Sequence, residues 1–553
     1  MNWLIGVILI FIFLILLLDQ LKKRKKKRLL NRLEKNWGKP KADPYYNFDE
    51  VSRYFNNTTS KDSAFHIISD QIKEDLDLDE IFKKIDRTNS KIGEQYLYYK
   101  LRVIESDSAT DEIDELTQFM EKNSDDRLIC QSELVRLSSH EAFNLELLIH
   151  GGLSYKPPYE KFLISLSLMS LSFIIIGVFF PTVFLLLIPV FCVNIILHYK
   201  TKTHINSALS AINQLNLTFL VCKNILKKSK VREYIKEQSF LKSIQSVRSK
   251  SRFIAFEKRL DSEIAMIPWF LFELIRILFN FESIFYFSLV GTIGKKRDDI
   301  ENLFLVLGKL DLAISLASLK VDEELLCSPR FNNGKALSIQ GMIHPLVEDC
   351  KPNSISLEGK SLLLTGSNMS GKTTFIRALG LNSLLAQSLN IAFAKEFQIP
   401  FYKVYSSIRI SDDVLESTSY YLKEVHLIKE LIAKSEEDKP CFFILDEIFK
   451  GTNTAERVAG GQAILKYLNN KKDFVVVSTH DIELADLLHK EDYDLYHFTE
   501  KIEAGELAFD HKLKEGKLKS RNAIKILDLY EYPKEIISGA EKIKSEYFGL
   551  EED

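Results

Sequence analysis

Four polar clusters in the C-terminal third of the chain have residue types and spacings that can do chemistry together. The first is GSNMSGKT, Gly366 to Thr373. It has the spacing G-x-x-x-x-G-K-[ST] of a loop that wraps phosphate. Gly366 and Gly371 let the backbone curl so that its N–H groups point inward. The helix that follows adds the positive end of its dipole. Lys372 can neutralise the β and γ phosphates of a nucleotide, and the Thr373 hydroxyl can bind Mg²⁺. The nucleotide-binding stretch is therefore Gly366, Ser367, Asn368, Met369, Ser370, Gly371, Lys372, Thr373 and Thr374. A bare match of this kind also arises by chance in loops, so its neighbours have to decide.

The second cluster is FFILDE, ending in Asp446 and Glu447. Asp446 can hold the Mg²⁺ shell, and Glu447 can polarise an attacking water as general base. Two carboxylates closing an apolar strand are costly without a cation, which disfavours a chance acidic turn. The third is STHD, Ser478 to Asp481, where His480 can reach a γ phosphate and sense its loss. A lone His is usually a surface or core residue; its place after a third apolar strand gives it the functional reading. The fourth is ESTSYYLKEV, Glu416 to Val425, where Ser419 lies near a helix start that can bind an anion. Alone it is only a helix cap. AGGQ at Ala459 to Gln462 resembles a transporter signature, but it follows Asp446 instead of preceding it, so it is read as helix packing.

The elements that must position these groups are short apolar strands alternating with helices from about Leu337 onward. The strands are SLLLT (361–365), CFFIL (441–445) and FVVVS (474–478), each ending in a polar cluster. That texture predicts a parallel α/β sheet with ligands at the carboxyl ends of its strands. A helix with Tyr421, Val425, Ile428 and Ile432 on one face is predicted after Ser419. From Ala64 to about Arg330 the pattern is mostly helical.

The whole chain has 553 residues, 46% apolar and 27% charged, which suggests two to four domains and excludes a disordered or collagenous chain. Lys plus Arg is 74 and Asp plus Glu is 76, so no global charge draws it to nucleic acid. Lys223 to Arg252 is locally basic and reads first as a solvated helix face, with DNA or lipid contact as the minority reading. The six cysteines include no C-x-x-C pair, so neither a zinc site nor a disulfide framework is indicated.

A membrane signal lies within this average composition. Trp3 to Leu18 has no charge and is followed by KKRKKKR at Lys22 to Arg28. A cleaved signal peptide has the reverse order, so an uncleaved anchor with its C-terminal side in the cytoplasm is predicted. The basic run is read as juxtamembrane, against a nucleic-acid alternative. Phe162 to Tyr199 is a second apolar block, divided by Pro181 and flanked by Lys161, Lys200 and Lys202. It predicts a hairpin of two spans with both ends cytoplasmic. Three spans result, and a buried hairpin in a soluble core is the bland alternative. Ile264 to Ile293 is apolar too, but Glu273, Arg276 and Glu282 make it a buried or interfacial helix pair.

Taken together, the residues resemble the MutS family of mismatch-repair ATPases. TGSNMSGKTTFIRALG is similar to that family's loop, with Ser367 for the usual Pro and Ser370 for a Gly. LDEIFKGTNT resembles its second motif, with Phe449 for Gly and Lys450 for Arg. Ser419 to Val425 resembles the segment that contacts nucleotide on the other subunit, and STHD resembles the switch site of His480. The Thr452, Asn453 and Thr454 stretch would lie along the dimer seam. SIQGMIHPLVE and the C-terminal KLKEGKLKSRNAIKILDLYEYP are similar to the start and tail of the ATPase domain. Asp75 to Arg102 and Leu307 to Lys320 resemble the start and end of the helical core domain.

The resemblance implies an α/β P-loop (ABC-type) ATPase domain at 336–553, preceded by an all-α MutS-core-like domain at 64–335 that carries the hairpin at 162–199. A linker at 37–63 and an anchor with its basic run at 1–36 complete the organisation. It implies ATP and Mg²⁺ as ligands, Glu447 and His480 as catalytic residues, Thr373 and Asp446 as metal ligands, and a homodimer closed by Ser419 of the second subunit. DNA is the family's partner. Only a short polar stretch precedes the helical region, which leaves no room for the family's mismatch-reading domain. The Phe-x-Glu triplets at Phe48–Glu50 and Phe119–Glu121 are no wedge in a chain with 37 Phe. Two outputs therefore compete: DNA binding and repair at the membrane, or a membrane switch driven by nucleotide on a protein or lipid partner. A transporter lacks a substrate path here, and a purely structural role leaves the ordered motifs without a reason.

Overall fold

The computed structural model describes residues 2–42, 44–105, 108–151, 158–235, 238–250, 266–367, 370–409, 420–449, 451–470, 472–503, 506–518 and 523–548. They form two compact units. One comprises Met1–Thr59, Ile85–Tyr99 and Glu112–Asp322; the other comprises Ser60–Lys84, Lys100–Asp111 and Glu323–Asp553.

The first unit is helical. Its helices include α1 (Asn2–Lys35), α2 (Lys91–Arg102, which runs on into the second unit), α3 (Ser124–Leu134), α4 (Glu160–Phe179), α5 (Leu187–Lys228), α6 (Met266–Phe279), α7 (Phe281–Gly294) and α8 (Arg297–Asp322). Asp311 on α8 is fully buried and accepts hydrogen bonds from the backbone N–H groups of Asn89 and Ser90, both at 2.8 Å, and from the Ser90 hydroxyl at 2.6 Å. Those bonds satisfy free N–H groups at the start of α2. Gly93 is required there, because a Cβ would lie 2.3 Å from the Asp311 carboxylate.

Residues 37–59 are not the polar tether that composition suggests. Trp37 lies under the Arg127 guanidinium at 3.7 Å, and Tyr54 stacks on Phe304 at 4.3 Å. Val51, Tyr54 and Phe55 are buried, and Lys41 bridges Asp86 and Glu94 at 2.6 and 3.0 Å. Three buried apolar side chains give this segment its own share of core. Pro181 does break the second apolar block: α4 ends at Phe179 and a 3-10 turn, Pro181–Leu186, leads into α5. Glu160–Phe179 and Pro181–Thr203 are long and apolar enough to cross a membrane, and each is only 17% buried over its apolar window.

The second unit holds two main sheets. Its strands are β1 (Ala336–Met342), β2 (Asn353–Glu358), β3 (Ser361–Thr365), β4 (Glu396–Pro400), β5 (Lys403–Ser407), β6 (Cys441–Asp446), β7 (Phe474–Thr479), β8 (Tyr493–His497) and β9 (Lys514–Glu515). The six-stranded sheet runs β9-β8-β3-β7-β6-β5, parallel throughout except for β9. The four-stranded sheet places Arg330–Asn332 beside β4, then β1 and β2. Helices α9 (Lys372–Leu389), α10 (Tyr420–Ser435) and α11 (Thr454–Leu468) belong to the same unit. β3 and β7 are buried along their whole length, as central parallel strands require.

Residues 60–84 and 100–111 pack with this C-terminal unit, although their helical patterning predicts membership of the helical region. His66–Ile67 pairs with Val103–Ile104 in a short antiparallel ladder. The decisive anchor is Asp75. It is fully buried and accepts from the Ser406 hydroxyl at 2.7 Å and from the N–H groups of Ile408 and Arg409 at 3.2 and 2.8 Å. Asp77 pairs with Arg409 at 2.7 Å and with Arg377 of α9 at 3.2 Å. These are long-range polar contacts, invisible to any local periodicity.

Candidate active site

Strand order builds the site. β7 lies between β3 and β6, with Thr479 opposite Thr365 and Ser478 opposite Asp446. Three polar strand ends therefore finish side by side on one rim of the sheet, the position where parallel sheets bind ligands. The loop after β3 turns at Gly366 and Gly371, both at positive φ (150° and 110°). A Cβ on Gly366 would lie 2.8 Å from the Ser370 hydroxyl and 2.9 Å from the Phe498 carbonyl, so the curl admits no larger residue.

Lys372 opens α9 and is buried. Its ammonium donates to the Gly366 carbonyl at 2.6 Å and the Ser367 carbonyl at 2.9 Å. The Ser370 hydroxyl also donates to the Ser367 carbonyl, at 2.8 Å. Next in line, the Thr373 hydroxyl donates to Asp446 at 2.9 Å, and the Ser478 hydroxyl donates to the other Asp446 oxygen. Thr374 follows on α9. The P-loop threonine and the strand-end aspartate are thus one hydrogen-bonded unit. A hydroxyl and a carboxylate are the hard oxygen donors that suit Mg²⁺, which takes few protein ligands and keeps the rest for phosphate and water. Thr373 and Asp446 fit that ion; among the described residues no cluster of three His, Cys, Asp or Glu side chains offers another metal site.

Glu447 sits in the left-handed region at φ 56°, held by its N–H donating to the Ser478 carbonyl at 2.9 Å. This turns the Glu447 side chain toward His480, whose Nδ1 donates to it at 3.2 Å. That hydrogen bond raises the imidazole's proton affinity above its ordinary value, against partial burial. Arg457 of α11 grips Asp481 with two bonds of 2.8 Å, which fixes the residue next to His480. The structure therefore brings Lys372, Thr373, Asp446, Glu447 and His480 to one rim. Asn368, Met369 and Ser419 lie outside the described residues, as does Lys450.

Other groups around the rim have roles that the sequence motifs do not assign. Ser478 links Asp446 to Glu447 through its side chain and its carbonyl. Glu424 of α10 is buried and accepts the Phe449 N–H, where Phe449 itself has φ 61°. That bond ties the helix after Ser419 to the turn after Glu447. On α10, Ile428 and Leu431 are buried and Tyr421 stays 40% exposed, so the predicted apolar face is correct in its middle and not at its start. Gly461 of the AGGQ run lies against Ile448, where a Cβ would come within 2.8 Å, as helix packing demands.

A cavity of about 410 Å³ adjoins the loop. Its walls include His344, Val347, Cys350 and Asn353 on one side, Gly371 to Phe375 on the other, and Phe498 and His511. His511 Nδ1 lies 3.1 Å from the Ser370 carbonyl, and Asn353 bonds the backbone of His511 and Leu513 at 3.0 and 2.8 Å. A heteroaromatic base attached to a phosphate chain on the loop would fit between such walls. His511 lies far beyond Thr373 in the chain, so only the fold reveals the pairing.

Residues 362–547 match the profile of MutS domain V. The DNA mismatch repair protein MutS of one Thermus thermophilus strain is 29% identical over 255 residues, 45% of this chain and 31% of that protein. That of Thermus aquaticus is 30% identical over 239 residues, 42% of this chain and 29% of that protein. That of Staphylococcus aureus (strain MRSA252) is 28% identical over 270 residues, 46% and 30% of the two chains. The matched part of this chain spans about 30% of the length of these curated relatives.

Proposed function

We propose, from the premise that this chain is a member of the MutS family through its domain V, that it is a membrane-anchored ATPase working as a dimer. One observation carries the catalytic part: the 2.9 Å bond between Thr373 and Asp446, with Glu447 and His480 paired on the same rim. ATP would lie with its base in the cavity between Val347 and His511 and its phosphates in the loop. Lys372 would exchange its bonds to the Gly366 and Ser367 carbonyls for phosphate oxygens. Thr373 and Asp446 would hold Mg²⁺, which neutralises phosphate charge when bound. Glu447 would take a proton from the attacking water, and His480 would carry the resulting change toward Asp481 and α11. Ser419 of a second subunit would close over the γ phosphate.

For the output, the relatives' name, DNA mismatch repair protein MutS, supports a reading of DNA binding and repair. A second reading has its own observation: two apolar helices of the helical unit are exposed over most of their surface. On that reading the ATPase drives a switch at the membrane, on a protein or lipid partner. The test is ATP hydrolysis by the detergent-purified full chain, with and without homoduplex, mismatched and branched DNA, across a salt series. Stimulation with a steep salt slope supports the DNA role. Hydrolysis indifferent to every DNA supports the switch, and no hydrolysis at all overturns the ATPase reading.

A further inference from the structure

Helices α6 and α7 bury their charged residues and leave three large apolar ones exposed. Their charged residues are inside: Glu273, Arg276 and Glu282 are 6, 2 and 2% exposed. Ile275, Phe281 and Phe285 are 48, 45 and 38% exposed, while Ile277, Tyr286, Phe287, Leu289, Val290 and Ile293 are buried. A water-facing amphipathic helix carries its charges on the exposed face. Inside the bundle the charges pair with one another. Arg276 bonds Glu273 at 3.0 Å and Glu282 at 3.1 Å, while Glu273 also meets Lys202 at 2.9 Å and His198 at 3.3 Å. Ionisable groups at membrane depth behave in this way, turned inward and paired.

The break between the helices shows how deep they reach. Asn280 adopts a left-handed conformation (φ 49°), and the axes on either side differ by 60°. The carbonyls freed at the break are taken up by α4 and α5: Asn194 donates to Leu278 at 3.0 Å, and Ser167 donates to Phe279 at 2.6 Å. Asn280 in turn donates to Asn194 at 2.8 Å. Broken backbone at membrane depth needs this kind of satisfaction from neighbours. Ser167 and Asn194 lie well inside the two candidate spans, Glu160–Phe179 and Pro181–Thr203. Before the break, Glu273 meets Lys202 at the end of the second span. After it, the Phe287 ring returns to Tyr159, 6.4 Å away, at the start of the first. The path goes inward from the lysine-bearing end of the pair and comes back to it.

We infer that Glu273–Gly294 is a re-entrant membrane element: it enters the bilayer from the side marked by Lys161, Lys200 and Lys202, turns at Asn280 and leaves on the same side, with Ile275, Phe281 and Phe285 against lipid hydrocarbon. The inference rests on reading α4 and the first part of α5 as membrane helices. It keeps the C-terminal unit on the side where the hairpin began, and α7 passes through Lys295 and Lys296 directly into α8, the helix that carries Asp311. Lipid contact is thereby attached to the core of the helical unit.

The test uses the full chain in phosphatidylcholine–phosphatidylglycerol liposomes, with Cys192, Cys327 and Cys350 replaced by Ser. Single labelling sites are made by Ile275→Cys, Phe281→Cys and Phe285→Cys, and by Leu168→Cys and Ile196→Cys on the spans. Each nitroxide is read for collision with lipid-soluble oxygen and with a water-soluble nickel chelate. The expected result is a several-fold excess of oxygen over nickel at all five, with position 281 deeper than 275 and 285. Depth increasing steadily from 275 through 285 means a crossing and overturns the inference. Nickel contact at 275, 281 and 285 with 168 and 196 still in lipid also overturns it. Nickel contact at all five means that the membrane reading of the hairpin has itself failed. In the unmodified protein, a lipid-soluble carbene reagent should label the peptide containing Phe281; label on the Leu168 peptide without it tells against re-entry.

Discussion

Two regions of this molecule bury charge, and they do so in opposite ways. At the sheet rim, Lys372 donates to backbone carbonyls of its own loop, and Asp446 accepts from the hydroxyls of Thr373 and Ser478. Those bonds are to neutral carbonyls and hydroxyls, which an anionic ligand with a cation can replace. Between α6, α7 and α5 the charges are already matched: Arg276 lies between Glu273 and Glu282, with Lys202 beside Glu273. The rim thus holds charge through carbonyls and hydroxyls that a ligand can displace, and the helix pair holds it through opposite charges.

The comparison breaks most severely at Lys372. Lys372→Ala should abolish measurable ATP binding, because losing a buried charge partner costs about 3–5 kcal/mol, on the order of a hundredfold or more in Kd. Titration with a fluorescent ATP analogue checks it, and near-normal affinity would sink the phosphate role. Glu447→Gln should keep binding but lower kcat by about 10²–10⁴, the range for loss of a general base. It should also trap the closed dimer with ATP, which light scattering would detect; normal turnover contradicts the assigned base.

The built-in cluster sharpens the contrast. Arg276→Leu takes the paired cation from buried Glu282 and one of two from Glu273, which keeps Lys202, and should destabilise the helical unit by about 3–5 kcal/mol. Replacing the triad together, Glu273→Gln with Arg276→Met and Glu282→Gln, should cost only about 1–2 kcal/mol, because no bare charge of the triad remains. Thermal unfolding in nanodiscs distinguishes the two; equal losses would mean that the triad acts only through shape. The smallest effect is expected at His66. Its Nε2 bonds the Val404 carbonyl at 2.8 Å, and burial lowers its pKa from 6.5 to about 4. The neutral ring favours the fold above pH 6.5, and that contribution is lost as pH falls toward 4. His66→Gln should flatten the stability profile of the C-terminal unit in that window, and an unchanged acid slope would remove His66 as its source.

The sheet rim of the candidate site was largely legible in the sequence because it is built from contiguous motifs. GSNMSGKT, FFILDE and STHD each contain both the strand end and the polar groups it presents. Parallel strands then bring those ends together without further instruction. Pro181 likewise announced the break between α4 and the 3-10 turn that follows. Residues 37–63 misled, because the buried Val51, Tyr54 and Phe55, at i, i+3 and i+4, make only a very short helical face inside a polar stretch. The fourth cluster was readable only as far as α10, since Ser419 itself lies outside the described residues.

By itself the sequence determined the loop, the strand-end carboxylates and the apolar blocks, since each depends on residues within a few positions of one another. Only the tertiary structure decided that Asp75 anchors residues 60–84 to the C-terminal unit, that His511 faces the loop, and that Arg276 meets Glu282 inside rather than outside its helices. Those choices are made by hydrogen bonds and ion pairs across turns and long separations. A local pattern carries no record of which buried partner a charge will find.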